Sequence, residues 1–225
     1  MSKRPTIAVT LSRGRSYWVW LLHRLAIWRA GGKAMKVTPG DDYDMGAIDG
    51  LVVGGGDDIS FQLDGTELDP NVRYDPERDA LEREMLVHAF EQNIPVLGVC
   101  RGAQMINLVR GGTLWRDIVE INKEAPKGRM LMPRKRITFV EDSRLADIMK
   151  CNPCQVNALH HQAVNKPGEG LRIVAHDEYE IVQAIEAPDH DFTIGVQWHP
   201  EMLPFSKPNM NLFRALVSSI RQQAA

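Results

Sequence analysis

Ile94-Pro-Val-Leu-Gly-Val-Cys-Arg-Gly-Ala-Gln104 is the stretch that decides the fold. Ile94 to Val99 is an almost unbroken apolar run, the pattern of a strand buried on both faces of a parallel sheet. It leads through Cys100 straight into a helical pattern, Gly102 to Val109, which Gly111-Gly112 ends. A strand passing into a helix through G-x-C-x-G is the nucleophile-elbow arrangement. Gly98 and Gly102 let the chain turn sharply beside Cys100. The turn lifts the sulfur off the sheet edge and sets it at a helix N-terminus, where the dipole favours thiolate over thiol. The backbone N–H of Arg101 is then a natural donor to an oxyanion. Taken alone, the pattern also describes a buried structural cysteine in a βα turn.

Working outward, short β-rich runs alternate with helical patterns through the first half. Ile7 to Leu11, Ala34 to Thr38 and Leu51 to Val53 read as strands. Tyr17 to Arg29 carries apolar residues at helix spacing and stops at Gly31-Gly32. Asp75 to Gln92 is a helix with Pro76 where a first turn tolerates it. In the second half, Arg136 to Val140, Leu171 to Ala175, Ile181 to Ile185 and Phe192 to Val196 read as short strands between polar turns. That character favours antiparallel pairs added to a parallel core. Ser143 to Lys150 and Asn209 to Arg221 read as helices. With no internal repeat and no long Gly/Ser linker, residues 1–225 are expected to form one domain. The expected class is α/β, a three-layer sandwich with a mostly parallel central sheet and added antiparallel strands.

Of the 225 residues, 44% are hydrophobic and 25% charged, which excludes disordered, collagen-like and membrane-embedded chains. The net charge of −2 gives no reason to expect a nucleic acid or a membrane surface as partner. The most apolar stretch, Trp18 to Trp28, is interrupted by His23 and Arg24 and falls short of the ~20 residues a bilayer requires. The N-terminus shows no signal-peptide pattern, so a reducing cytoplasm is expected. Three cysteines are too few for a disulfide scaffold. Cys151-Asn-Pro-Cys154 has no second pair or nearby histidines at zinc spacing, and reads as two ordinary thiols in a turn. No metal is expected.

Two further segments carry chemistry. In Gly195-Val-Gln-Trp-His-Pro-Glu201, His199 ends a strand and a carboxylate follows two residues on. A histidine with an orienting carboxylate is the usual means of activating a thiol. In Gly54-Gly55-Gly56-Asp57-Asp58, a glycine-rich turn after a strand exposes N–H groups that can face an anion. No G-K-[ST] and no G-x-G-x-x-G follows, so neither nucleotide fingerprint is present. Each segment alone also reads as a plain turn. Lys123, Lys127, Arg129, Arg134, Lys135 and Arg136 form a basic stretch that reads as a solvated loop. The sharper alternative is a lid whose cations attract a substrate carboxylate.

Taken in order, GVCRGAQ, NLVRGGTLWRDI, VNALHHQAV and GVQWHPE resemble the class I glutamine amidotransferase-like fold, which is flavodoxin-like. More narrowly they resemble its γ-glutamyl-γ-aminobutyrate hydrolase family, peptidase C26. The resemblance runs from about Ile7 to Ile220. It implies that Cys100 is the nucleophile, His199 its base, and Glu201 the group that orients His199. It implies an oxyanion hole from the N–H groups of Gly56 and Arg101, with Gly55 making the turn. It places Gln104, Asn157, His160 and His161 near the substrate. The implied reaction is hydrolysis of a γ-glutamyl amide of γ-aminobutyrate or a related amine, with no cofactor. A glutaminase serving a separate synthase, and a non-catalytic binding module, are the alternatives. A homodimer is a family-level expectation. The chain departs from the family pattern at Gly54, where proline is common, at Leu63-Asp64-Gly65, and at Gln183, where glutamate is usual.

Overall fold

The computed structural model describes residues 4–14, 17–59, 74–126 and 130–224. The strands are β1 (Thr6–Thr10), β2 (Lys33–Val37), β3 (Gly50–Val53), β4 (Val96–Val99), β5 (Leu114–Trp115), β6 (Met130–Phe139), β7 (Cys154–Ala158), β8 (Ala163–Val164), β9 (Arg172–Asp177), β10 (Val182–Glu186) and β11 (Thr193–Val196). The helices are α1 (Tyr17–Ala30), α2 (Pro76–Glu91), α3 (Arg101–Val109), α4 (Arg144–Met149) and α5 (Lys207–Gln223).

Among the described residues, nine strands form one sheet in the order β2-β1-β3-β4-β11-β10-β9-β6-β7. The five from β2 to β11 run parallel. The remaining pairings, β11 with β10 through to β6 with β7, are antiparallel. β5 and β8 form a separate small ladder.

Strand side chains alternate between the two faces, so each face has its own core. Ile7, Val9, Val52, Leu97 and Val99 pack with Ile27 of α1 and with Phe213 and Leu216 of α5. Ala8, Leu51, Val53 and Val96 pack with Met85 and Leu86 of α2 and with Met105 and Ile106 of α3. The result is the expected three-layer α/β sandwich. No helix among the described residues is long and apolar enough to cross a membrane.

Three expectations are corrected. The strand at Phe192 to Val196, grouped by its surroundings with the antiparallel additions, pairs in parallel with β4 as well as antiparallel with β10. It is the seam between the two halves. The basic stretch is not a loop throughout: from Met130 it is β6, whose alternation exposes Arg134 and Arg136 and buries Lys135. Lys127, Arg129 and Leu63-Asp64-Gly65 lie outside the described residues. Cys151 and Cys154 are not separate thiols; their turn brings the Cα atoms to 5.4 Å, within bridging reach, and they form a disulfide.

Candidate active site

β3, β4 and β11 lie side by side and parallel, and each ends in one of the three segments singled out in the sequence. Ligands of open parallel sheets sit outside these carboxyl ends. Gly54 to Gly56 follow β3, Cys100 follows β4, and Gln197 to Glu201 follow β11.

Cys100 sits in the corner between β4 and α3 with φ +52° and ψ −106°, a strained conformation for a residue with a side chain. The corner depends on close backbone approach. A Cβ on Gly98 would lie 2.6 Å from Ile106 Cδ1, and one on Gly102 would collide with the carbonyl of Val53. Cys100 is 7% exposed and is the free cysteine. Gln197 Nε2 donates to its sulfur at 3.6 Å.

His199 Nδ1 donates to Glu201 Oε1 at 2.8 Å. Pro200 begins a short 3₁₀ turn, Pro200–Met202, that folds the carboxylate back beneath its own neighbour's ring. Burial works against a charged His199 ring, but the charges of Glu201 and Cys100 prevail and raise its proton affinity well above the ordinary histidine range. Burial likewise works against the Glu201 carboxylate, yet His199 beside it holds that group below the usual carboxylate range. A thiol, an imidazole and a carboxylate thus stand in line, the imidazole hydrogen-bonded to the carboxylate and its proton affinity raised by the thiol. Such a line can move a proton off sulfur and return it to a leaving group.

Gly55 lies against the His199 ring: a Cβ there would sit 2.5 Å from Cε1. Gly56 is exposed and Arg101 begins α3. Among the described residues, neither backbone N–H donates to a backbone carbonyl.

The remaining expected residues divide. Gln104 is buried, its Nε2 shared between the Gln162 carbonyl at 3.1 Å and Gln197 Oε1 at 3.2 Å. Asn157 is fully buried and both ends of its amide are committed to His199: its Oδ1 accepts from the His199 N–H at 2.8 Å and its Nδ2 donates to the His199 carbonyl at 3.1 Å. Expected near the substrate, it has its amide bonded to the His199 backbone. His160 Nδ1 donates to the Gln162 carbonyl at 2.9 Å, and burial lowers its pKa to about 4. His161 is exposed and pairs with Asp58 at 2.9 Å, bridging the glycine-rich turn to the segment after β7.

Sequence reasoning missed a buried charge cluster under the glycine turn. Arg78 donates to the carbonyls of Gly54 at 2.7 Å and Gly55 at 3.1 Å, and to Glu82 at 2.7 Å. Glu82 also accepts from Thr10 Oγ1 at 2.7 Å. The Arg101 guanidinium pairs with Asp79 and Glu82. Through α2, the turn after β3 and the corner after β4 are therefore tied to one set of charges. In sequence, Arg78 and Glu82 stand at i and i+4, the spacing of an ordinary solvated helix face. The signal was that α2 lacks a clean apolar stripe although it packs on the sheet. Among the described residues, no group of three or more metal-ligating side chains is assembled.

This fold with this site defines a class I glutamine amidotransferase-like protein. A solved structure from Thermoplasma acidophilum, provisionally assigned to GMP synthase, superposes with a TM-score of 0.70 at 17% identity, covering 100% of this chain and 98% of that one. The Peptidase C26 profile matches residues 21–201, and the chain belongs to that family. A provisionally named glutamine amidotransferase from Mycobacterium tuberculosis is 34% identical over 86% of this chain and 64% of its own length. The γ-glutamyl-γ-aminobutyrate hydrolase PuuD of Escherichia coli K12 is 32% identical over 56% of this chain and 54% of its own.

Proposed function

We propose that the protein is a cysteine-dependent hydrolase of γ-glutamyl amide bonds, with γ-glutamyl-GABA or a related γ-glutamyl amine as substrate. The observation that carries this reading is the placement of Cys100 after β4 and of the hydrogen-bonded His199–Glu201 pair after its parallel neighbour β11. Cys100 attacks the γ-carbonyl as His199 takes the thiol proton. The tetrahedral oxyanion forms against the N–H groups of Gly56 and Arg101. The C–N bond breaks, His199 protonates the departing amine, and a γ-glutamyl thioester remains. Water, deprotonated by His199, then releases glutamate and restores the thiol. Glu201 keeps the ring oriented and stabilises its charge throughout.

The similarity to PuuD supports a γ-glutamyl amide substrate. The relative named as an amidotransferase favours a second reading, a glutaminase that hands ammonia to a separate synthase. Assay of the purified chain against γ-glutamyl-GABA, γ-glutamyl-putrescine and glutamine separates the two. Autonomous release of glutamate from the γ-glutamyl amines, lost in Cys100→Ser, is the expected result. Turnover of glutamine alone, and only with a second protein added, would overturn the first reading in favour of the second. An inert thiol and no turnover of any amide would point to a binding module.

A further inference from the structure

His23 stands outside the line from Cys100 to Glu201 but faces its far end. It lies on α1, is fully buried, and places Nε2 3.9 Å from Glu201 Oε1. Glu201 Oε1 is the same oxygen that accepts from His199 Nδ1. Among the described residues neither ring nitrogen of His23 has a hydrogen-bond partner, and neither has Glu201 Oε2. Unpartnered polar atoms on two fully buried neighbours are uncommon, because each forgoes hydration without replacement. Here both belong to side chains in close approach, with His23 Nε2 3.9 Å from the Oε1 of the same carboxylate whose Oε2 is unpartnered.

We infer that His23 is a positioning residue for the proposed reaction: a neutral imidazole that presents Nε2–H to Glu201 and keeps its carboxylate ionised and aimed at His199. The surroundings fit a neutral ring. Burial lowers its proton affinity, Glu201 opposes this, and the charges of His199 and Arg78 add to the lowering. From α5, the Phe213 ring packs edge-on at 6.4 Å and offers no charge. A protonated His23 would compete with His199 for one carboxylate. A neutral one supplies a donor without becoming a second cation. This inference rests on the hydrolase reading for its kinetic consequence but not for its electrostatic one.

The sign follows from Glu201. Its carboxyl is held below the usual range. Losing a donor raises it, so Glu201 protonates at higher pH and the Cys100–His199 pair loses its support sooner on acidification.

The test compares wild type with His23→Phe and His23→Gln. Alkylation of Cys100 by iodoacetamide is followed against pH, which requires no substrate. In His23→Phe the acid limb should move up by about 0.5 to 1 pH unit. His23→Gln, which can present an amide N–H, should recover at least half of that shift. On the best γ-glutamyl amide, kcat should fall roughly 3- to 10-fold in His23→Phe with KM unchanged. Superimposable alkylation profiles for wild type and His23→Phe would overturn the inference, as would a Gln variant no better than Phe.

Should His23→Phe fail to fold, ¹⁵N NMR of the wild type decides. A ring neutral at about pH 7 and protonated on Nε2 is expected, and one that is charged at that pH or carries its proton on Nδ1 contradicts the inference. A wild type that hydrolyses no γ-glutamyl amide would remove the proposed activity while leaving the alkylation and NMR results to judge His23.

Discussion

The five parallel strands and the four antiparallel ones hold their buried charges for different ends. On the parallel side, Arg78 grips the carbonyls of Gly54 and Gly55 after β3, while Asp79 and Glu82 hold the side chain of Arg101, the residue after Cys100. On the antiparallel side, Lys135 of β6 pairs with Asp177 at the end of β9 at 2.5 Å, and Gln183 of β10 donates to the same carboxylate at 3.1 Å. The other oxygen of Asp177 accepts from the N–H groups of Tyr179 and Ile181, closing its own turn. One set surrounds the places where Cys100 and the proposed anion donors stand. The other fixes a neighbouring wall. The departure from the family pattern at Gln183 falls on that wall, and the proposed reacting atoms do not. The buried charges nearest the proposed chemistry thus belong to the parallel half, and the sequence departure at Gln183 to the antiparallel one.

The largest expected effect tests the parallel side. Glu201→Gln keeps the shape but removes the charge that holds His199 in its raised state, and kcat should fall roughly 10³- to 10⁴-fold with little change in stability. Steady-state kinetics on the best γ-glutamyl amide read this. A loss under tenfold would break the claim that this carboxylate governs the base.

Arg78→Met comes next. Removing one partner from a buried ion cluster leaves the others unpaired and costs about 3–5 kcal/mol, read as a fall in the urea midpoint. The residual folded enzyme should lose kcat, because the carbonyls of Gly54 and Gly55 lose their anchor. Full activity in the folded variant would separate the cluster from the site.

Asn157→Ala probes the segment where β7, at the far edge of the antiparallel half, reaches the base. It leaves the His199 N–H and carbonyl without their side-chain partners, a loss of about 1–3 kcal/mol. We expect a tenfold fall in kcat, on the order of the same energy, with KM nearly constant. A rise in KM alone would restore Asn157 to substrate contact and sharpen the boundary between the halves.

The smallest effect belongs to His160. Its folded pKa is about 4 against an ordinary 6.5. A group with a lowered folded pKa contributes stability above its unfolded value and loses it as pH falls toward the folded one. Between pH 6.5 and about 4 the protein should therefore lose stability with a slope reaching toward one proton, and His160→Gln should flatten that slope. Chemical denaturation at several pH values checks it. An unchanged slope would mean that His160 is hydrated in the folded state.

Much of this was legible in the chain because the decisive features are local. The apolar run of β4, its glycine-flanked cysteine and the His-Pro-Glu turn each declare themselves within eight residues. That the glycine turn and the cysteine are neighbours follows from the alternating first half; that the His-Pro-Glu turn joins them does not, because it depends on β11 pairing with β4. What was not legible depends on contacts between distant segments. Nothing near Asn157 says that its amide faces His199, 42 residues away. Arg78 and Glu82 look solvated because their partners, Gly54, Thr10 and Arg101, arrive from β1, β3 and α3. Lys135 looked like one cation in a basic loop, since its partner Asp177 is 42 residues on. Phe192 to Val196 looked antiparallel because sequence neighbours said so, whereas its second partner is β4.

The central claim is that the sulfur of Cys100 carries the glutamyl group between amine release and hydrolysis. The direct test is acid quench of the enzyme during turnover of a γ-glutamyl amide, followed by mass spectrometry of the Cys100 peptide. The account predicts a γ-glutamyl thioester on Cys100 that disappears in Cys100→Ser and when substrate is exhausted. Amine released in the same quenched sample at the single-turnover rate, with Cys100 unmodified or the label on another residue, would contradict it.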